Sequence, residues 1–224
     1  MAIELSGLAM PLGSDDNEIK QAAAARLGIR PDDILRLRVA RQSLDARRDV
    51  RLVLTVEVWL HDGKRQRSLE QRFGRVEVRP EQPVAYGHRA PGQPVVVGAG
   101  PCGLFAALTL AQHGYKPLLI ERGRDMDRRV RDVQRMSAQG VLDEESNVCF
   151  GAGGAGAFSD GKLTTRIKDP RTERVLMTLA ECGAPEEILV LAKPHTGTEN
   201  IRKAVTGILD KIRRLGGTVS FESR

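Results

Sequence analysis

Cysteine is scarce in this 224-residue sequence: Cys102, Cys149 and Cys182 are the only three. The count is odd and no two form a C-x-x-C pair, which excludes a disulfide scaffold and a zinc ribbon; no metal site is expected. Reduced, buried thiols in a cytoplasmic protein are the simplest expectation. Aromatic residues make up only 4% of the chain, too few for a platform on which bases would stack. A concentrated charge is also lacking. The formal net charge is +6, but the excess is spread along the chain, with arginine far outnumbering lysine. A nucleic-acid binder more often gathers its charge in one patch, so a solvated surface with mild attraction for anionic ligands is expected, and no nucleic-acid partner. The N-terminal MAIELSGLAMPLG has no basic stretch before an apolar core and does not read as a signal peptide. Neither internal repeats nor low-complexity tracts are present.

Long hydrophobic runs are nearly absent too. The exception is Val95 to Ala111, within PVVVGAGPCGLFAALTLAQHG. Gly98, Gly100, Pro101 and Gly103 break any helix near its start, and the apolar remainder is too short to span a bilayer. A membrane partner is therefore not expected. Three valines read as a buried parallel strand, and Gly98-Ala99-Gly100-Pro101-Cys102-Gly103 supplies G-x-G-x-x-G at its end. In such a turn Gly98 allows the tight bend, Gly100 admits a pyrophosphate close to the backbone, and Gly103 lets the following helix pack on the strand. The helix N-terminus offers free N–H groups and a partial positive charge to phosphates. A second strand, KPLLIE, ends at Glu121, whose carboxylate can accept hydrogen bonds from ribose hydroxyls and would repel a 2′-phosphate. These features predict a dinucleotide site with Ala99, Pro101 and Cys102 in its turn.

Before this unit, residues 1–79 read as a small α+β domain. AIELSGLAM is a strand, and Asp15-x-x-Glu18 opens a helix that Gly28 stops. ILRLRVARQS places Leu35, Leu37 and Val39 on one face, and VRLVLTVEVWL places Val50, Leu52, Leu54, Val56, Val58 and Leu60 on one face. The two form a hairpin through LDARRD, and RVEVR could add a strand. The arginine-rich strand is either a solvated outer face or a nucleic-acid contact. Residues 80–93, with Pro80, Pro83 and Pro91, read as a proline-rich linker. Residues 94–224 then follow a β-α-β pattern, a long excursion, and α-β. The last helix is marked by Thr196-x-x-Glu199 as a capping box, a stripe of Ile201, Val205, Ile208, Leu209, Ile212 and Leu215, and a stop at Gly216-Gly217; TVSFE follows as a strand. The expected fold class is α/β: a Rossmann-like domain with an incomplete parallel sheet, preceded by the α+β domain.

The excursion carries a second glycine-rich loop, NVCFGAGGAGAFSDGKLTTRIKDPR. Its glycines, Gly153, Gly154 and Gly161 among them, surround Ser159 and Asp160 and would let backbone N–H groups converge on an anion or a flat ring. Otherwise it is a flexible surface loop. Glu121-Arg122-Gly123 directly after the second strand resembles the FAD-binding flavoproteins more than the NAD dehydrogenases.

Together, RQSLDARR, the first glycine turn, the second loop and AKPHTGT resemble the bacterial FAD-dependent dehydrogenases, which carry an N-terminal α+β domain before the flavin domain. The resemblance implies FAD as cofactor, NAD(P)H as a possible electron donor, and Arg122, Gly153, Gly154, Ser159, Asp160, Gly161 and Lys162 as further cofactor contacts. An acidic residue is common in that family where Ala152 stands here. Family members are also much longer and return to the flavin with a late Gly-Asp segment, so the chain is expected to be an N-terminal fragment, with self-association through an unfinished sheet edge. Lys162 could stabilise a reduced flavin or simply be solvated or face a phosphate. His195 could donate a proton or serve packing. Cys102 is assigned no redox role. The substrate is not legible. The rival readings are an NAD-dependent dehydrogenase, a non-catalytic nucleotide-binding fragment, and a flavin-dependent RNA-modifying enzyme.

Overall fold

A computed structural model describes residues 1–76, 92–167, 169 and 171–224. The expected linker, 80–93, lies outside the described residues except for its last two, as does RVEVR beyond Val76. The chain divides into two compact units, Met1–Val84 with Leu189–Lys193, and Ala85–Ile188 with Pro194–Arg224.

The first unit is an antiparallel sheet with two helices. Its strands are β1 (Ala2–Met10), β2 (Ile34–Asp45), β3 (Arg51–Leu60) and β4 (Arg75–Val76), in the order β2-β3-β1-β4. Helix α1 (Asp16–Leu27) starts where the sequence indicates. The Asp15 carboxylate accepts from the Glu18 N–H and the Glu18 carboxylate accepts from the Asp15 N–H, a complete capping box. Ile19, Ala23, Ala24 and Leu27 of α1 bury against Ile3, Leu5, Leu54, Val56 and Val58 of the sheet.

The alternation in β2 is broken. The β2–β3 register shifts between Ile34 and Arg36, which buries Ile34 and leaves Leu35 exposed rather than on the inner face. Arg38 forms a two-pronged pair with buried Glu57 at 2.9 and 3.1 Å, and Arg36 lies over the Trp59 ring, so two of this strand's arginines serve its own sheet. Helix α2 (Gly63–Phe73) was not anticipated. Its signals are local: Asp62 accepts from the Lys64 and Arg65 N–H groups, and Gly74 closes the end. The outer edge of β2 is met by the segment Leu189–Lys193, where the Gln42 N–H donates to the Val190 carbonyl and the Gln42 carbonyl accepts from the Ala192 N–H.

The second unit is α/β. Strands β5 (Val95–Val97), β6 (Leu118–Ile120) and β7 (Thr218–Ser220) form a parallel sheet in the order β5-β6-β7. Its helices are α3 (Pro101–Gln112), α4 (Met126–Gln139), α5 (Arg171–Glu181) and α6 (Gly197–Arg214). Leu104 and Leu108 of α3, Ile208 and Ile212 of α6, and Leu119 of β6 share one core, with Val96 and Val219 packed against it. That face of the sheet is covered. The other face carries Val95 and Val97, which are 57% and 79% exposed, so β5 is not the fully buried strand that three valines suggest.

Helix α6 buries Ile201, Val205, Ile208, Leu209 and Ile212 as expected, but it ends one turn position early and Leu215 is exposed. Its expected capping box is not formed. Thr196 has helical dihedrals, its hydroxyl donates to the Gly161 carbonyl at 3.2 Å, and Glu199 pairs with Lys203. Tertiary bonding to the second glycine loop has taken the hydroxyl that a local cap would have used. Among the described residues no helix is long and apolar enough to cross a membrane. Cys182 is buried, and that burial pushes its thiol pKa up, whereas Cys102 and Cys149 are exposed, against expectation.

Candidate functional site

The site begins where β5 stops. Gly98 takes φ +93°, a conformation side chains disfavour, and its N–H donates to the Ile120 carbonyl at 2.7 Å, which fixes the turn to the end of β6. Gly100 caps α3 with extended dihedrals and makes no side-chain cap hydrogen bond to the first-turn N–H groups. A Cβ on Gly103 would collide with the Gly98 carbonyl oxygen, whereas a Cβ on Gly100 would meet nothing within 4 Å. One glycine is required by packing. The other faces open space.

Glu121, just beyond β6, is 6% exposed. One carboxylate oxygen accepts from the Ala99 N–H at 2.7 Å and the other from the Gly123 N–H at 2.9 Å. These bonds tie the carboxylate to the turn it was expected to accompany. Each oxygen keeps a second lone-pair direction, since an ionised carboxylate has about four acceptor sites. Arg122 turns aside, with its Nε 3.1 Å from Glu145 and its guanidinium over the Phe150 ring.

The second loop docks on the first. The Gly153 N–H donates to the Ala99 carbonyl at 2.8 Å, and Gly154 lies beside Pro101. The glycine density suggests amides that converge on an outside group, and four of the loop's amides have partners at home. Those of Ala152, Gly153, Gly154 and Ala157 each donate within the protein. Its carbonyls converge instead, on Arg129 of α4. Nε of Arg129 donates to Asn147, Nη2 to Val148, and Nη1 to Gly151, Ala152 and Gly154, at 2.6 to 3.2 Å. Arg129 is fully buried, and burial pulls its pKa down to about 10, with the Glu121 carboxylate acting in the opposite direction. The Phe158 ring lies over it at 4.6 Å. This residue escaped the sequence reading, although a signal existed: Met126, Arg129, Val130 and Val133 follow the spacing of a core-facing helical stripe, and an arginine stands inside it.

The remaining candidates gather at the far end of the loop. Ser159 makes a local turn, donating to the Gly156 carbonyl at 2.8 Å and accepting from the Gly161 N–H. The Gly161 carbonyl accepts from the Thr196 N–H and hydroxyl, and Lys162 and His195 face each other in an isolated antiparallel bridge. Asp160 lies 2.8 Å from Lys162 Nζ and 4.0 Å from His195 Nε2, all three exposed. The hydrogen bond from Lys162 holds the Asp160 carboxyl below its ordinary pKa, and Asp160 raises that of Lys162. The structure thus brings both proposed catalytic residues together, around one carboxylate.

Residues 96–147 match the NAD(P)-binding Rossmann-like domain. That stretch contains the glycine turn, Glu121 and Arg129, so the part of the chain similar to a nucleotide-binding domain is the part that carries the site. The Rossmann-like domain is preceded by residues 2–59, which match a domain of unknown function, DUF8436. The full chain is also similar to an uncharacterised protein of Clostridium beijerinckii, 42% identical over 229 residues, and it spans 43% of that protein's length.

Proposed function

We propose that the Rossmann-like domain holds the ADP portion of FAD and serves a flavin-dependent oxidoreductase. The observation that supports a dinucleotide most strongly is the joining of the turn to Glu121: open space in front of Gly100, an α3 N-terminus without a side-chain cap, and a buried carboxylate hydrogen-bonded to the Ala99 N–H. In this reading Gly98, Ala99, Gly100, Pro101, Cys102 and Gly103 receive the pyrophosphate, and the free lone pairs of Glu121 receive ribose hydroxyls. Gly153 and Gly154 line the same turn. FAD is favoured over NAD by the Glu-Arg-Gly exit from β6 and by the long path from there to β7, which includes a second glycine loop docked on the turn. When bound, the flavin would supply the redox chemistry, and the protein's part is to hold and orient it. Lys162, His195 and Asp160 form the polar group we assign to the flavin end, with NAD(P)H as the proposed electron donor.

The family match favours a second reading, a domain that binds NAD(P) itself. Titration calorimetry of the purified chain with FAD, NAD and NADP, alongside its visible absorbance, separates the two. Tighter binding of FAD than of NAD or NADP is expected. Tight NAD binding with no affinity for FAD would replace the flavin assignment, and no binding of any dinucleotide would remove both readings.

A further inference from the structure

An arginine with no exposed surface needs an explanation, because a buried charge without partners is strongly unfavourable. At Arg129 all three guanidinium nitrogens donate to main-chain carbonyls of 147–154. The loop has been shaped to provide them. Gly151, Gly153 and Gly154 all have positive φ, which turns the carbonyls of Gly151, Ala152 and Gly154 inward. On its other side the same loop meets the nucleotide-binding segments. The Gly153 N–H bonds the Ala99 carbonyl, and a Cβ on Gly123 would lie 2.6 Å from Gly151 Cα, so the loop passes in close contact with the residue two after Glu121.

We propose that Arg129 is a positioning residue of the dinucleotide site: its guanidinium gathers the second glycine loop, and the loop in turn sets the Ala99 turn and the Glu121–Gly123 exit in their binding geometry. This rests on reading that turn as a dinucleotide site. Lysine cannot replace the residue, since an ammonium has a single centre and cannot reach five carbonyls in a fork.

The test uses the full chain with Arg129→Lys, Arg129→Met and Gly151→Ala, and the exposed Arg131→Met as control. ADP-ribose is the probe for calorimetry, and hydrogen exchange and thermal melting are followed in parallel. Gly151→Ala perturbs the same contact while keeping the arginine, because its Cβ would lie 2.7 Å from Arg129 Cδ. Arg129→Lys and Gly151→Ala are expected to melt cooperatively, to bind ADP-ribose about tenfold or more weakly, and to exchange faster at 147–154 and 98–103 alone. Arg131→Met should match the parent. Unchanged affinity in folded Arg129→Lys and Gly151→Ala would overturn the proposal while leaving the site intact. Faster exchange spread evenly over β5, β6 and β7 would also overturn it, reducing Arg129 to a general stabilising residue. A parent chain that binds no ADP-ribose would instead remove the site and this inference with it. If Arg129→Met fails to fold, Gly151→Ala decides.

Discussion

Gly100 and Gly103 separate binding from folding. Gly100 faces open space with φ −73°, so Gly100→Val should fold normally and lose dinucleotide. Gly103 lies against the Gly98 carbonyl, so Gly103→Ala should lose about 1–3 kcal/mol of stability as the helix is pushed off the turn. Chemical denaturation and FAD titration of both variants check this; a stable Gly103→Ala or a binding-competent Gly100→Val would contradict it. Glu121 combines the two roles. Glu121→Ala leaves the Ala99 and Gly123 N–H groups without acceptors inside the protein, a loss of about 1–3 kcal/mol. It should also weaken FAD more than FMN, which has no adenosine. Equal weakening of both ligands would mean that Glu121 acts through the fold alone. Of these residues the glycines and Glu121 were legible, because their spacing carries the chemistry. For Arg129 only its place in a core-facing stripe was legible, because its partners are main-chain carbonyls that no spacing rule connects to an arginine many residues earlier.

At the level of elements, what the sequence revealed was what neighbouring residues decide. Asp15 and Glu18 form their capping box because nothing else competes for them. Thr196 and Glu199 have the same spacing and form none, because the hydroxyl goes to Gly161. Val95 to Val97 read as buried, yet burial on both faces depends on what lies over the sheet, which three residues cannot specify. Helices α2, α4 and α5 went unread, since charged residues crowd their faces. The β2–β3 hairpin supports a prediction in pH. Side-chain and backbone hydrogen bonds from Arg47 lower the Asp45 pKa from 3.8 to about 2. A lowered folded-state pKa means the contribution is complete above 3.8 and is lost as pH falls through about 2. Protection of the Arg47 amide, taken relative to its intrinsic exchange rate, should therefore fall over that window, and Asp45→Asn should abolish the dependence. An Asp45→Asn chain with the parent's pH profile would contradict the assignment.

For the whole molecule, two features extend beyond any one element. Among the described residues Val95 and Val97 are exposed on the sheet face they share by register with half-buried Leu118 and Ile120, and we expect self-association through that face. Sedimentation velocity should show concentration-dependent oligomers that Val97→Lys reduces; a parent chain that stays monomeric at every concentration would sink the expectation. The other feature is Leu189–Lys193, which bonds Gln42 at the outer edge of β2. Residues 2–59 carry most of that first sheet, and an exposed edge is where foreign strands add. During translation, β1 to β3 leave the ribosome long before Val190 and Ala192 exist, and domains generally begin to fold as they emerge. The nascent sheet must therefore wait with Gln42 unpaired, and the interval of its vulnerability is set by the time needed to synthesise most of the Rossmann-like domain.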